Sequence, residues 1–353
     1  MKLRSRVVHP RDLTPVELEA WERLCLADDR LRRAFLAPGF ALAVGEVRPD
    51  ARVAVLLDDG DPVGFFAYQF ANSGAFLTRV GEPIGGDMSD YVGLVAAPHV
   101  RLEPGRLLRL ARLTGFDFTH LDESQHEFGL AGEESEPGLL VDLSSGWDAY
   151  WAALVAANKD FVQKTERREK HAMRDVGPLS FQVDPSERGS ALVHMIDLKR
   201  RQYGASGARD ALRAPWKREL LELLANTRDE SCRGEVTVLR GGTNWIATHF
   251  GLRCAERLHY WFPVFERKYS KLSPGRLLLK ATLERASELG IRVVDRGAGN
   301  SQAKRDFANA EHRFETGLWH RMGLRSTAYR AGRSLAWRAR DLLSRSSEGD
   351  SES

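Results

Sequence analysis

The sequence contains two copies of one ordered pattern, and this repeat constrains the fold more than any other feature. In each copy, two apolar segments flank a glycine-containing turn, a pattern typical of a β-hairpin. The two predicted hairpins are VAVLLDDGDPVGFFA at 53–67 and VTVLRGGTNWIATHF at 236–250. Because the same hairpin pattern occurs in both halves of the chain, the sequence indicates two related structural units.

A leucine-rich helix follows each hairpin and opens with the same five residues. PGRLL occurs at 104–108 and again at 274–278. Each helix is followed by a glycine and then by a short buried strand that ends in an acid, Asp122 in the first copy and Asp295 in the second. Chance can supply one short match, but the same order of hairpin, strand, helix and strand around both copies favours duplication.

The length of the chain also predicts two domains. With 353 residues, of which 42% are hydrophobic, the chain can form two packed cores. The segment 122–138 is acidic and aperiodic, so it predicts a solvated connection. We therefore expect domains at 1–137 and 138–320, followed by a tail at 321–353.

The second domain is expected to begin with a strand, GLLVDL, and a helix. Ser145 is the predicted N-cap of this helix, with Asp148 three residues further on. An apolar stripe is predicted along it, formed by Trp147, Tyr150, Trp151 and Leu154.

Several protein classes are excluded or disfavoured by composition and motif content. The net charge of +3 does not by itself indicate a DNA-binding protein. Three cysteines are too few for a disulfide framework, and no apolar stretch has the length of a signal peptide or membrane span, so a cytoplasmic location is expected. No P-loop, dinucleotide fingerprint, HExxH or nucleophile elbow occurs, and no metal site is expected.

The second PGRLL helix starts with Ser273-Pro274-Gly275, which has two interpretations. It can be simply a well-formed helix start, because serine caps helices and proline suits the first turn. Alternatively, the free amides of the first turn can hold a phosphate or pyrophosphate, assisted by Lys271 and Arg276.

The loop after the strand at Asp295 is rich in polar residues and glycine. Gly297 and Gly299 allow tight turns, and Lys304 could reach an anion or a carbonyl that develops negative charge. A solvated turn is the alternative, but loops at strand ends are common places for binding and catalytic residues.

These features resemble the GNAT-like acyltransferases of the cellulose-biosynthesis (CelD-like) type, which are related to the FemABX aminoacyltransferases. The similarity lies in the Ser-Pro-Gly helix start, Leu277-Leu278-Leu279, Gly290, the strand-end acid and the glycine-then-lysine loop. It extends to GGTNWIATHFGLR, SDYVGLV and NKDFVQKTERREKHAMRDVG, over most of residues 50–315. One departure is Ala303, where the family often has tyrosine.

The resemblance implies an α/β (α+β) fold of two tandem GNAT-like domains, each a mixed, mostly antiparallel sheet flanked by helices. It implies acyl-CoA, such as acetyl-CoA, as the donor, held in a cleft between splayed strands of the second domain. The pyrophosphate would lie at Lys271, Ser273, Gly275 and Arg276. The first domain is expected to be non-catalytic.

Direct acyl transfer requires a base for the nucleophile, donors for the oxyanion and an acid for the leaving thiolate. Asp295 is the preferred candidate for the base or for orienting the substrate. His249, Tyr260 and Lys304 are the further candidates, and His259 and Glu266 lie on the same predicted strand as Tyr260. A packed or exposed role is the alternative for each side chain.

Two basic segments have structural and functional interpretations. The helix at 159–174 carries interspersed charges, typical of a solvated face, or it forms a groove wall for an anionic acceptor such as a nucleotide-sugar or a tRNA acceptor stem. The arginine-rich segment from Arg321 to Arg345 predicts an amphipathic helix that docks on the protein or on a membrane surface. The last eight residues are expected to be disordered.

The leading hypothesis is an N- or O-acyltransferase that acts on a small or sugar-containing acceptor, in the polysaccharide or surface-glycan assembly that the resemblance implies. An aminoacyl-tRNA-dependent transferase like the FemABX relatives ranks below it, because no sustained heptad pattern indicates their helical arm. A non-catalytic GNAT-like binding or scaffold module is the third hypothesis.

Overall fold

The computed structural model describes residues 2–207 and 210–321, which form thirteen strands and ten α-helices. In the part of the chain up to Asp142, these elements are β1 (Arg4–Val8), α1 (Pro15–Ala27), α2 (Pro38–Val47), β2 (Arg52–Asp58), β3 (Asp61–Gln69), α3 (Ser73–Thr78), β4 (Val80–Pro83), β5 (Leu94–Ala96), α4 (Pro104–Leu110), β6 (Gly115–Asp122) and β7 (Glu134–Asp142).

The remaining elements repeat much of this order. They are α5 (Trp147–Ala157), α6 (Lys159–Val176), β8 (Leu179–Val183), α7 (Arg188–Ser206), α8 (Pro215–Asn226), β9 (Arg233–Gly241), β10 (Asn244–Cys254), β11 (Arg257–Phe265), α9 (Pro274–Glu284), β12 (Val293–Ala298), α10 (Gln302–Arg305) and β13 (Ala310–His320).

The predicted repeat is confirmed in its main elements. The two hairpins are β2 with β3 and β9 with β10, both antiparallel. Each PGRLL sequence opens a helix, α4 or α9, with proline in the first turn. The following strands are β6, which ends at Asp122 as predicted, and β12, which continues past Asp295 to Ala298.

A single mixed sheet joins the two halves of the chain. Its order is β1-β2-β3-β4-β6-β13-β7-β12-β11-β10-β9-β8, with β5 beside β3. The halves exchange their last strands, because β13 pairs with β6 of the first half while β7 pairs with β12 of the second. The sheets expected for two domains are therefore continuous.

The connection predicted at 122–138 is partly regular structure. It contains the 3-10 helix Glu123–Phe128 and the first residues of β7. These residues of β7 are exposed and polar, which gives no apolar strand signal, but their backbone pairs with β13. Backbone pairing thus formed a strand where side-chain pattern predicted none.

The helix predicted after GLLVDL is shorter than expected, and the basic helix predicted at 159–174 is confirmed as α6. The N-cap of the shorter helix, α5, is Gly146 and not Ser145, and α5 ends before Asn158. The Asn158 side chain accepts a hydrogen bond from the amide of Phe161 and caps α6. Asparagine competes with the helix backbone in this way, which explains the break. The predicted stripe along α5 packs against the core as expected.

The two ends of the sheet pack against different helices. Helix α1 covers the first half, where the buried Trp21 ring stacks on Phe65 with a centroid separation of 4.9 Å. Helix α9 covers the second half and buries Leu277, Leu278 and Leu279. Burial of each leucine side chain contributes about 2 kcal/mol, so this face fixes α9 against the sheet.

The sequence predicted that no segment spans a membrane and that a basic helix near the C-terminal end docks on the protein or on a membrane surface. In the described parts of the chain, none of the helices combines the length and apolarity that crossing a bilayer would need. The predicted basic helix and its end lie, apart from Arg321, outside the described residues.

Candidate functional site

The centre of the second half is a gap between two parallel strands. β11 and β12 pair from Arg257 with Val293 to His259 with Asp295, and the pairing stops there although both strands continue. On its other side, β12 shifts register against β7 between Asp295 and Ala298. The carboxyl ends of β11 and β12 therefore separate, and ligands of α/β proteins commonly bind at such strand ends.

Helix α9 begins beside this part of the sheet with an open first turn. Ser273 occupies the N-cap position with a φ of 55°, and its side chain makes no capping hydrogen bond. Pro274 has no amide hydrogen, and a Cβ added to Gly275 would meet only Phe265, at 3.6 Å. Space is thus available where the helix dipole favours an anion, and one amide donor, that of Gly275, goes with it, because the amides of Arg276 and Leu277 already donate to the carbonyl of Ser273.

Basic side chains surround the start of α9. The Arg276 guanidinium lies 4.6 Å above the Phe161 ring of α6 and 3.8 Å from Asp306. Arg168, also on α6, donates a hydrogen bond to the carbonyl of Lys271. The predicted donor-binding residues Lys271, Ser273, Gly275 and Arg276 therefore lie together, and α6 helps to fix their backbone.

On the face of the sheet that packs against α9, two predicted catalytic residues are in contact. The His249 ring stacks on the Tyr260 ring with a centroid separation of 3.8 Å, and both are buried. Burial lowers the pKa of His249 well below its usual range, so the ring is neutral near pH 7. Burial also raises the pKa of Tyr260, whose hydroxyl makes no hydrogen bond to a described residue.

Lys304 lies on α10, and its side chain reaches back to the end of β12. Its ammonium group donates a hydrogen bond to the carbonyl of Ala298, and burial lowers its pKa. Lys304 is therefore part of the turn that follows the gap. The structure does not bring it into hydrogen-bond contact with His249 or Tyr260.

Asp295 lies on the opposite face, because adjacent residues of a strand point to opposite sides and Asp295 pairs in register with His259. Its carboxylate is fully buried. It accepts hydrogen bonds from the Tyr91 hydroxyl and from the amide of Gly297, the latter at 2.8 Å, and lies 3.7 Å from His259 Nδ1. Glycine suits position 297, where φ is 65°.

The charge of Asp295 is strongly stabilised. Burial alone would raise its pKa, but the positive charges of His259, His312 and Arg257 hold that pKa well below its usual range. A carboxylate of such low pKa is a weak base. Asp295 is accordingly suited to positioning its neighbours.

His259 forms a second ion pair with Asp90. The distance from His259 Nε2 to Asp90 Oδ2 is 2.7 Å. Burial would lower the pKa of His259, but Asp295 and Asp90 raise it to about 9. The Asp90 side chain is 28% exposed, whereas that of His259 is 6% exposed. Asp90 is therefore the residue of this pair that solvent can reach.

The same network continues into the first half of the sheet. Tyr91 lies 3.2 Å from His312 Nε2, and His312 Nδ1 lies 2.8 Å from Asp122. Asp122, the last residue of β6, and Asp295, within the equivalent strand β12, thus belong to one buried cluster. Sequence analysis identified both acids as strand ends but missed Asp90, Tyr91 and His312, although Asp90 and Tyr91 lie in the SDYVGLV segment.

Two arginines balance the acids of this cluster. Arg33 lies 3.8 Å from Asp122 and above the Tyr91 ring, and Arg257 lines the same small cavity, whose volume is about 10 Å³. The buried Arg33 Nε and Arg257 Nη1 atoms make no hydrogen bonds to described residues. A cavity of this size holds one water molecule, which would satisfy them.

The match to known families falls on the part of the chain that carries the gap and α9. Residues 160–305 match the family described as acetyltransferase (GNAT) domain. This part of the chain, less than half of its length, is therefore similar to a GNAT acetyltransferase domain. The comparison with curated proteins gave no match.

Solved structures support the same fold over most of the chain. FemX is similar, with 10% identity and a TM-score of 0.60 over 92% of this chain and 99% of FemX. The C-terminal domain of a candidate lysylphosphatidylglycerol synthetase from Agrobacterium fabrum has 13% identity and a TM-score of 0.56 over 93% of this chain and 96% of that domain. A tandem GNAT protein of the clavulanic acid pathway has 14% identity and a TM-score of 0.51, covering 91% and 100%. The chain therefore has the tandem GNAT architecture.

Proposed function

We propose that the chain is an acyltransferase that moves an acyl group, most simply acetyl, from acyl-CoA to an amine or hydroxyl of a small, sugar-containing acceptor. One observation carries the proposal. The gap between β11 and β12 lies beside the open N-terminus of α9, within the segment that matches GNAT acetyltransferase domains.

The donor side is the α9 face of the sheet. The space and the amide at Gly275, together with Lys271 and Arg276, fit the pyrophosphate of coenzyme A, which supplies the acyl thioester when bound. Tyr260 remains protonated near neutral pH, and its hydroxyl makes no hydrogen bond to a residue that the structure describes, so it is suited to give a proton to the departing thiolate. His249 holds the Tyr260 ring by stacking.

The acceptor side is the opposite face, where Asp90 is partly exposed. In molecules in which His259 is neutral, Asp90 would accept the proton of the attacking amine or hydroxyl and pass it to His259 Nε2, 2.7 Å away. Because the pKa of His259 is raised to about 9, the fraction of such molecules grows as pH rises toward 9. The pair titrates as a unit, so its proton affinity is that of His259 rather than that of an isolated carboxylate. Asp295 would keep His259 in place and raise its basicity.

The first half contributes Asp90 and Tyr91 to this site, and we propose that it has no donor site of its own. Its equivalent helix, α4, has only seven residues, and its N-cap is Glu103. A carboxylate at this position repels a phosphate. The first half would therefore support the site of the second half.

The cellular context is proposed from the resemblance and from the state of the cysteines. The CelD-like resemblance supports a role in polysaccharide or surface-glycan assembly. The described cysteines, Cys25, Cys232 and Cys254, are all buried and unpaired, which supports a reducing compartment such as the cytoplasm.

The test is isothermal titration of acetyl-CoA and desulfo-CoA into the wild type and into Gly275→Asp. Aspartate in a first helical turn favours the helix, so the fold should be kept, while its charge lies where the pyrophosphate would bind. Gly105→Asp makes the same change at the equivalent position of α4 and serves as the matched control. Circular dichroism checks the fold of both variants.

We expect both ligands to bind the wild type and Gly105→Asp, and Gly275→Asp to lose at least about tenfold in affinity, because one like-charge contact at an anion site costs on the order of 1.4 kcal/mol. Absence of binding to the wild type would disprove the acyl-CoA proposal. Equal binding by Gly275→Asp would remove α9 as the pyrophosphate site.

A further inference from the structure

An arginine lies where the gap between β11 and β12 begins, on the α9 face of the sheet. The last residues that pair between these strands are His259 and Asp295, and Tyr260 and Arg296 follow them directly. Successive residues of a strand point to opposite faces, so Tyr260 and Arg296 share the face that Asp295 does not. The Arg296 guanidinium lies over the Tyr260 ring, 5.6 Å from its centroid. Arg296 is therefore beside the residue that would protonate the departing thiolate.

The charge of Arg296 has no direct partner among the residues that the structure describes. Its buried Nη1 atom makes no hydrogen bond to them. Asp306 attracts this charge, but its own contacts are with Arg276, at 3.8 Å, and with Gln302, at 2.6 Å. Burial lowers the pKa of Arg296, although a guanidinium keeps its proton near pH 7. A buried charge without a paired opposite charge is costly, which is typical of a site whose counter-ion arrives with a ligand.

A second cation lies near Arg296. Lys304 is half-buried, and burial together with the positive charge of Arg296 lowers its pKa. Its ammonium group donates to the carbonyl of Ala298 and forms no ion pair with a described residue. A Cβ added to Gly299 would meet only Lys304 Nζ, at 3.8 Å, so there is space beside the ammonium group. The two cations repel each other, and an anion bound near both would offset this repulsion.

The position of Arg296 indicates where such an anion belongs. The pyrophosphate of the donor is assigned to the start of α9, and the acceptor to the opposite face with Asp90. Arg296 lies on the donor face at the gap itself, where the thioester carbonyl would lie. An anion at this point is therefore only a few atoms from the thioester, as part of the acyl group. A guanidinium offers parallel N–H donors that match the oxygens of a carboxylate.

We propose that the transferred acyl group carries a terminal carboxylate, as malonyl, succinyl and glutaryl groups do, and that Arg296 binds this carboxylate with Lys304 nearby. This inference rests on the proposed function and names the class of its acyl donor. Acetyl-CoA would bind the same site without the contact to Arg296.

The transfer step is the same with such a donor. The amine or hydroxyl of the acceptor forms a bond to the thioester carbon, and the carbon–sulfur bond breaks. The proton of the nucleophile goes to Asp90, the thiolate takes a proton from Tyr260, and exchange with solvent restores both residues. The product is an amide or ester with a free carboxylate. Arg296 is thus a specificity-determining residue and carries no proton in the reaction.

The test is isothermal titration of CoA thioesters into the full chain. Malonyl-, succinyl- and glutaryl-CoA carry the carboxylate. Butyryl-CoA has a methyl group where succinyl-CoA has its carboxylate and is the neutral counterpart, and desulfo-CoA reports on the site without an acyl group. The variants are Arg296→Gln and Arg296→Lys. Arg292→Gln is the matched control, because it removes the same charge from an exposed arginine directly before β12.

We expect at least one carboxylate-bearing thioester to bind the wild type at least about tenfold more tightly than butyryl-CoA, the ratio for one hydrogen bond between charged groups. Arg296→Gln should lose this preference and keep its affinity for desulfo-CoA. Arg296→Lys should keep part of the preference, and Arg292→Gln all of it. Circular dichroism checks the fold of each variant, and the comparison of thioesters on the wild type needs no variant.

Three results would overturn the inference. They are a wild type that binds none of the carboxylate-bearing thioesters more tightly than butyryl-CoA, a preference that persists in Arg296→Gln, and a loss of butyryl-CoA affinity in Arg296→Gln as large as that of the other thioesters. The last result would mean that Arg296 bonds only the thioester carbonyl. Desulfo-CoA separates this failure from that of the proposed function. If it binds the wild type without any preference among thioesters, only this inference fails, whereas absence of all binding would disprove both.

Discussion

The hydroxyl group of Tyr91, in the first half, donates a hydrogen bond to the buried carboxylate of Asp295, in the second half. The two residues are 204 positions apart in the chain, and the sheet brings them together. Because Asp295 also faces His259, a residue of the first half helps to set the electrostatics of the second-half site. The tandem arrangement is therefore part of the site and not only of the scaffold.

The first prediction concerns stability and pH. The pKa of His259 is about 9 in the folded chain and about 6.5 when unfolded, so proton binding stabilises the fold. This contribution, on the order of 3 kcal/mol, is complete below pH 6.5 and is lost as pH rises through 9. Urea unfolding should show a wild-type advantage over His259→Gln at pH 6 that shrinks toward pH 9.

The control for this measurement is His99→Gln, at an exposed histidine outside the network. Its stability curve should follow that of the wild type. If the difference between the wild type and His259→Gln is the same at pH 6 and pH 9, the charged pairing of His259 with Asp90 and Asp295 is refuted.

The second prediction concerns catalysis and pH. If Asp90 and His259 accept the proton of the nucleophile, kcat/KM for acetyl transfer should rise with pH toward about 9, where the pair loses its proton. Asp90→Asn keeps the shape of the side chain but removes the proton acceptor. It should lower kcat roughly 100-fold or more and abolish the rise, with little change in donor affinity. A variant that keeps the wild-type pH profile would exclude Asp90 from proton transfer.

The sequence predicted the parts of the site that depend on local pattern. The two hairpins, both PGRLL helix starts and the strand-end acids follow from spacing along a short stretch, and α9 with Asp295 was found in this way. Helix starts were less certain where several residues compete. Ser145 and Gly146 are adjacent candidates, and the break at Asn158 depends on one side-chain hydrogen bond.

The partners of Asp295 could not be predicted in the same way. Tyr91 and His312 are 221 residues apart and meet only because β13 crosses into the first half of the sheet. No local pattern records an exchange of strands. A buried histidine beside a strand-end acid is also indistinguishable in sequence from an ordinary packed residue.

The third prediction separates a charged hydrogen bond from a neutral one. Tyr91→Phe removes the hydroxyl group that donates to the Asp295 carboxylate, whereas Tyr68→Phe removes one that donates to the carbonyl of Ala111 at 2.7 Å. Both rings are fully buried, so packing is matched. Tyr91→Phe should cost about 1.5–3 kcal/mol of unfolding free energy and Tyr68→Phe about 0.5–1.5 kcal/mol. Equal losses would show that the hydrogen bond from Tyr91 to Asp295 is no stronger than an ordinary bond to a neutral carbonyl.

The fourth prediction tests whether Asp295 sets the pKa of His259. Asp295→Asn retains an acceptor for Tyr91 and Gly297 but removes the negative charge that raises this pKa. The imidazole signal of His259 in NMR should therefore titrate at lower pH than in the wild type, and the pH at which kcat/KM levels off should fall with it. Stability near pH 7 should fall by about 3–5 kcal/mol, because the ion pair is buried.

Asp122→Asn is the matched control for that variant. Asp122 is the equivalent strand-end acid of the first repeat, but its direct partner is His312 rather than His259. It should lose stability as well, while the titration of His259 stays close to that of the wild type. If Asp122→Asn moves the His259 titration as far as Asp295→Asn does, the cluster responds as a whole. The assignment of Asp295 as the specific positioning residue for His259 would then be wrong.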